Sequence, residues 1–337
     1  MMPMPKGLVL NSGGLDSQLA IGVLKRQDIA VEAVTFLSYF SDGYKAGRLG
    51  YWPRRAAEHF DIPLHFVFLR DAYVAMLRDP RYGFGAACNP CIDCKILMLR
   101  RAEEKAREIG ASFIATGEVI GQRPMSQVKQ SLHLIEKRAG LEGRVVRPLS
   151  GKLLEATIPE QEGLLARDLF EDITGRGRKR QEALAKTFSI AEFPQPAGGC
   201  ILTDAAYAAK CEDSLRHGFS SGKEFIALQC GRVFRFDSAA KCIAGRNQRE
   251  CEMLSALAEE TDILGRLSDE APGPLVVLKG EVSDRAMRYA AQIIKYYSKQ
   301  RKEETSSIDF RKKESLQVKR VTVSSIDPEE LKAMEIR

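Results

Sequence analysis

The sequence predicts an α/β protein, a doubly wound parallel sheet followed by a smaller α+β domain. Three observations lead there. Over roughly the first 150 residues, short apolar segments alternate with amphipathic helical ones. A Gly-Gly turn stands between the first apolar segment and the first helical one. From about residue 205 the alternation gives way to a different pattern.

Residues 7–10 (GLVL) read as the first strand. LDSQLAIGVLKRQ then reads as a helix with Leu15, Leu19, Val23 and Leu24 on one face. VEAVTFL (31–37) and LHFVFL (64–69) read as the second and third strands. CKILMLRRAEEKAREIG (94–110) reads as a helix stopped by Gly110. ASFIATG (111–117) and GRVVRPL (143–149) supply a fourth and a fifth strand. In such a sheet, ligands sit beyond the carboxyl ends of the strands.

Composition sets the outer bounds. The chain has 337 residues, 44% hydrophobic and 28% charged, enough for a sizeable core and two domains. No apolar run approaches the roughly 20 residues that span a bilayer. The N-terminal MMPMPKGLVLNSGG carries no signal-peptide pattern, so a cytoplasmic location is expected. There, close-spaced cysteines bind metal or do chemistry more often than they form disulfides. A net charge of +6 permits a nucleic-acid partner without demanding one.

The first strand end carries NSGGLDS, Asn11 to Ser17. Glycines let backbone come close to a ligand, and the first N–H groups of a helix are free donors in a positive dipole. That arrangement suits phosphate. Ser12 and Ser17 add hydroxyls, and Asp16 either holds magnesium or caps the helix. A Gly-Gly turn with an Asp/Ser cap is the plainer alternative.

This S-G-G-x-D-S after the first strand resembles the pyrophosphate (PP) loop of the ATP-pyrophosphatase family, whose members split ATP into AMP and pyrophosphate. The resemblance implies an adenine-nucleotide-alpha-hydrolase-like, Rossmann-like sheet. NPCIDC followed by GASFIATGE is similar to the tRNA 2-thiouridylases, which places Cys94 at their catalytic cysteine. TGEVIGQRPMSQ, Thr116 to Gln127, is similar to the 4-thiouridine synthases. PAGGCILTD puts Cys200 where 2-thiouridylases carry their second cysteine. The resemblance covers roughly residues 7–204.

Cys91 stands where persulfide-type thiouridylases commonly have aspartate. C-x2-C plus a distant cysteine resembles the ligand set of cluster-dependent tRNA thiolases. The resemblance therefore implies that Cys91, Cys94 and Cys200 ligate a [4Fe–4S] cluster, with one iron left open for sulfide. Thiolates are soft and suit such clusters or zinc. A structural zinc (Zn2+) site with Cys88 as fourth ligand, and a persulfide route through Cys94 or Cys200, are the rivals. Cys88 reads as a bystander. Cys211, Cys230, Cys242 and Cys251 read as buried thiols.

The implied reaction is adenylation of a uracil carbonyl oxygen by ATP and its replacement by sulfur. Ser12, Gly13, Gly14 and Ser17 would hold pyrophosphate, with Asp16 near Mg2+ and catalytic together with Cys94 and Cys200. Phe36 would line the adenine pocket, and Gly117 would let backbone approach the nucleotide. Gln122, Arg123, Ser126 and Gln127 are polar candidates for adenylate or base. Implied partners are tRNA and a sulfur donor (cysteine desulfurase, sulfur carrier or free sulfide). No membrane is expected, and a homodimer is left open. An amide-forming ligase and a non-catalytic RNA-binding protein are the other function classes.

The remainder supplies candidate RNA contacts. TIPEQEGLL opens with a capping box, Thr157 and Glu160. The run GRGRKRQ concentrates Arg176, Arg178, Lys179 and Arg180, a solvated face or a grip on tRNA phosphates. GRVFRFDSAAKCIAG reads as strand then turn, GPLVVLKG as another strand, and SDRAMRYAAQIIKYYSKQRK as a helix ending in Lys295, Lys299, Arg301 and Lys302. This module is similar to the RNA-associated domain of ribosome quality-control factors. The expected layout is a PP-loop domain over 1–150, a connecting segment over 151–204, a small α+β domain over 205–303 and a lysine-rich tail over 304–337.

Overall fold

The computed structural model describes residues 5–41, 50–194, 200–269 and 271–337. The chain divides into two compact units, Met1–Cys200 and Ile201–Arg337.

The first unit is built on five parallel strands: β1 (Lys6–Leu10), β2 (Ala30–Leu37), β3 (Leu64–Phe68), β4 (Phe113–Thr116) and β5 (Val145–Val146), in the order β3-β2-β1-β4-β5. This is the doubly wound sheet expected from the alternation. Its helices are α1 (Leu15–Lys25), α2 (Tyr51–Phe60), α3 (Arg70–Arg78), α4 (Cys91–Ile109), α5 (Lys129–Ala139), α6 (Ile158–Gln161) and α7 (Lys179–Thr187). Side chains alternate across β1. Val9 joins a core with Leu15, Leu19 and Leu24 of α1, and Leu8 joins a core with Ile96 and Leu99 of α4. With apolar side chains needed on both faces, the central strands β1 and β4 are mostly apolar, as in Leu8–Leu10 and Phe113–Ala115.

Two differences bear on the site. Helix α4 begins at Cys91 rather than Cys94, because Pro90 provides its N-cap and the Cys94 N–H already bonds the Pro90 carbonyl at 2.8 Å. Cys91 and Cys94 thus share the first turn, three residues apart. The segment after 150 packs with the first unit: Leu165, Phe170, Ile173, Ala185 and Ile190 lie in the α1 core.

The second unit carries α8 (Ala205–Arg216), α9 (Gly222–Ala227), β6 (Arg232–Arg235), β7 (Ala240–Ala244), α10 (Gln248–Leu257), β8 (Ile263–Leu267), β9 (Val276–Gly280), α11 (Asp284–Tyr296), β10 (Ser306–Lys312), β11 (Lys319–Val323), α12 (Pro328–Met334) and β12 (Glu335–Ile336). Its strands form one antiparallel sheet, β11-β10-β8-β9-β7-β6-β12. Residues 304–337 are therefore not a tail. Ser306, Ile308 and Phe310 face the core at period two, while Arg311 and Lys312 sit at the exposed strand end. Lys295 is corrected too. It is fully buried, and its ammonium donates to the carbonyls of Gln300, Arg301 and Glu303 and to Ser325 Oγ, so it cannot reach RNA. Among the described residues no helix is long and apolar enough to cross a membrane.

Candidate active site

The strand order of the first sheet reverses between β1 and β4, whose ends pair Leu10 with Thr116. Such a switch point leaves a crevice beyond the strand ends. Here it is a cavity of about 490 Å³, lined by Ser12, Gly14, Asp16 and Ser17 from one side and by Thr116, Gly117, Glu118, Gln122, Arg123 and Gln127 from the other. Arg178, Lys95 and Cys200 also line it.

The loop after β1 is held by a residue the sequence reading passed over. Asn11 is buried; its amide donates to the Pro53 carbonyl at 3.0 Å, and its Oδ1 accepts from the Gly13 N–H at 2.8 Å and from Ser17 Oγ at 3.3 Å. Gly13 has φ +75°, and a Cβ there would meet the Trp52 backbone at 2.4 Å. Gly14 caps α1, and Ser17 Oγ donates to its carbonyl at 2.8 Å.

Asp16 lies in the first turn of α1. Its Oδ2 accepts from the Gln122 amide at 2.9 Å, whereas its buried Oδ1 has no hydrogen-bond partner. Burial raises the carboxyl above its ordinary value; Gln122, Arg178 and Arg123 act against that. An orphaned carboxylate oxygen beside a helix N-terminus fits a cation that accompanies phosphate.

Gly117 lines the cavity and makes a further contact that the sequence did not suggest. A Cβ there would collide with the Asp16 and Ser17 backbone, so the glycine lets β4 reach the first turn of α1. Phe36 is partly buried against the α4-side core and is not among the cavity-lining residues. Ser126 is buried, with its carbonyl accepting from Lys95 at 3.3 Å, while Gln127 lines the cavity with Oε1 unpartnered.

The three cysteines come together around Tyr73 of α3. Burial pushes the half-buried Cys94 thiol up to about 12; a hydrogen bond with Tyr73 opposes this, and Cys200 and Cys91 add to it. Burial raises the Tyr73 hydroxyl well above its usual value, with Cys94, Cys200 and Cys91 contributing. Cys91 and Cys200 thus both act on Cys94, and three thiols are soft donors of the kind that an iron–sulfur cluster takes. Among the described residues no three Cys, His, Asp or Glu side chains converge closely enough to enclose a metal ion. The motif residues before Cys200, 196–199, lie outside the described residues. Cys88 is fully buried, and all eight cysteines are thiols.

Next to Cys94, Lys95 is paired with Glu118, which also accepts from Arg147 Nε at 3.0 Å and Thr116 Oγ1 at 3.1 Å. Arg147, buried, bridges on to Glu136. Burial alone would raise the Glu118 carboxyl, but the Lys95 and Arg147 charges bring it down to about 2. This network fixes the rim of the cavity as charged and rigid.

The basic run does not act as one patch. Arg176 and Lys179 are exposed, Arg180 pairs with Glu171 and Asp172 at 2.9 Å each, and Arg178 turns into the cavity.

Residues 4–158 match the family model described as thiamine biosynthesis protein (ThiI). The first unit thus carries a domain similar to the PP-loop domains of tRNA thiolases. Residues 231–334 match the model described as NFACT protein RNA binding domain. The chain is similar to the tRNA-specific 2-thiouridylase MnmA of Methylobacterium radiotolerans, 29% identical over 219 residues, 60% of this chain and 53% of that one. The chain thus spans about half the length of the curated relatives it matches. A 4-thiouridine synthetase solved as an RNA complex with bound ATP aligns at 25% identity and a TM-score of 0.35, over 55% of this chain and 52% of that one. The U34-tRNA thiolase NcsA from Methanococcus maripaludis, solved with its [4Fe-4S] cluster, aligns at 14% identity and a TM-score of 0.34, over 66% of this chain and 70% of that one. At those TM-scores the two structures carry no argument about this site.

Proposed function

We propose that this protein is an ATP-dependent tRNA uridine thiolase. The observation that carries the reading is that the PP loop, Asp16 and Cys200 line one cavity at the switch point of the sheet. A uracil carbonyl is a poor electrophile because oxide is a bad leaving group. Its oxygen attacks the α-phosphorus of ATP, the bond to pyrophosphate breaks, and the oxygen becomes part of bound AMP. Sulfur then adds to the same carbon, the carbon–oxygen bond breaks, and AMP leaves.

In this scheme the N–H groups of Gly13 and Gly14 and the hydroxyls of Ser12 and Ser17 hold the pyrophosphate, where the α1 dipole favours negative charge. Asp16 binds the magnesium that accompanies it. Gln122 orients Asp16, and Arg123 and Gln127 face the adenylate. The Lys95–Glu118–Arg147 network keeps the rim rigid beside the thiols. A [4Fe–4S] cluster held by Cys91, Cys94 and Cys200 would supply an open iron that carries the sulfide. The exposed Arg176 and Lys179 and the second unit would bind tRNA, in the cytoplasm.

The test is pyrophosphate release from MgATP in the presence of bulk tRNA. The parent chain should release it, and Asp16→Ala should not. Parent-like release by a folded Asp16→Ala protein would remove Asp16 from the role.

A further inference from the structure

The run over 174–181 leaves the surface early. Thr174 bridges to Ile120, the Gly175 N–H donates to the Ile120 carbonyl at 2.7 Å, and Thr174 Oγ1 donates to the same oxygen at 3.1 Å. Ile120 stands on the β4–α5 loop that also carries Gln122 and Arg123. Pinned there, the chain turns Arg178, the N-cap residue of α7, into the cavity, where its charge acts on Asp16.

Gln181, in the first turn of α7, is fully buried, and neither its amide nitrogen nor its amide oxygen has a hydrogen-bond partner. It faces the Asp16 carboxylate and, with Gln122, opposes the rise that burial imposes on that group. Asp16 Oδ1 is likewise buried and unpartnered. Two orphaned polar groups side by side carry a desolvation cost that a plain structural glutamine would not need. Such groups are kept where a ligand completes them.

We propose that Arg178 and Gln181 belong to the nucleotide site: Arg178 binds the ATP polyphosphate, and Gln181 is a positioning residue for the Asp16 carboxylate. This rests on the reading that the cavity takes ATP. It divides the basic run between two ligands, with Arg178 turned to the nucleotide and Arg176 and Lys179 left on the outside. The charge balance supports the division. Asp16 beside a polyphosphate is a like-charge arrangement, and Arg178 and Arg123 are the cations that act on it. A guanidinium suits a phosphate bidentately.

The experiment measures pyrophosphate release against MgATP concentration, and tRNA affinity against salt, for the full chain and two variants. Arg178→Gln should raise KM for ATP about tenfold or more, the effect of removing one charge-assisted hydrogen bond, and should leave the slope of log K against log salt unchanged. An unchanged KM with a slope shallower by about 0.7–0.9 would make Arg178 a tRNA contact and overturn the assignment. Gln181→Leu should lower kcat with little change in KM, while its thermal midpoint stays level or rises, since leucine removes two unsatisfied atoms. A parent-like kcat, or a loss of kcat that only follows a fall in midpoint, would make Gln181 a packing residue. A parent chain that binds no MgATP defeats the nucleotide reading itself. A parent that binds it, with both variants parent-like, defeats this assignment alone.

Discussion

A Cβ on residue 117 would stand 2.5 Å from the Asp16 carbonyl carbon and oxygen, so the end of β4 and the first turn of α1 meet backbone to backbone. The contact ties the two halves of the sheet together where its strand order reverses, and it sets the distance between Asp16 and the Gln122 loop. Gly117→Ala must open it. The expected cost is about 1–3 kcal/mol of stability, the range for overpacking a tight site, with weakened ATP binding. Urea denaturation and MgATP titration read the two effects.

Asp16→Ala removes a carboxylate whose Oδ1 has no protein partner. Stability should change by only about 1 kcal/mol, because the lost hydrogen bond from Gln122 is offset by the burial of a charge that no longer has to be made, while pyrophosphate release is lost. Calorimetry beside the release assay separates a functional carboxylate from a structural one.

Protein purified without oxygen should be brown and hold about four irons per chain, as a three-cysteine [4Fe–4S] site requires. Serine at Cys91, Cys94 or Cys200 should bleach it and stop thiolation; serine at Cys88 should do neither. Colourless anaerobic protein holding one zinc and still thiolating would favour the zinc reading. An active Cys91→Ser protein beside inactive Cys94→Ser and Cys200→Ser would favour the persulfide route.

The exposed Arg176 and Lys179 make a narrower RNA prediction than the whole run did. Replacing both with glutamine should flatten the salt dependence of tRNA binding by about 0.7–0.9 for each phosphate that is no longer neutralised. An unchanged slope in filter-binding series would return them to a solvated face.

In the second unit Lys241 is fully buried, paired with Glu224 and hydrogen-bonded to Ser214 Oγ at 2.5 Å. Glu224→Leu leaves that ammonium without its carboxylate. Breaking such a pair costs about 3–5 kcal/mol, and chemical denaturation of the full chain should show it.

The parallel sheet was legible because strands covered on both faces are mostly apolar, as Leu8–Leu10 of β1 and Phe113–Ala115 of β4 are. The loop was legible for a chemical reason, since only glycine fits where Gly13 meets Trp52. Other elements were hidden by composition. In β10 and β11 the exposed lysines and arginines outweighed Ser306, Ile308, Phe310 and Val323 facing inward; in β11, the edge strand, this is the pattern of a charged sheet edge. Lys295 read as surface charge, yet carbonyls in a turn that follows it accept its protons. Tyr73 and Arg147 reach the site through tertiary contacts that no local spacing encodes. Nothing in GRGRKRQ says that Arg178 turns inward while Arg180 pairs outward; the hydrogen bonds to Ile120 decide that.

The most direct test is nucleoside mass spectrometry of tRNA incubated with anaerobically purified protein, MgATP and sulfide. Expected is a uridine with one oxygen replaced by sulfur, formed only with ATP and accompanied by AMP and pyrophosphate. ATP cleavage without any thiolated nucleoside, or thiolation that proceeds equally well without ATP, would contradict the proposed function.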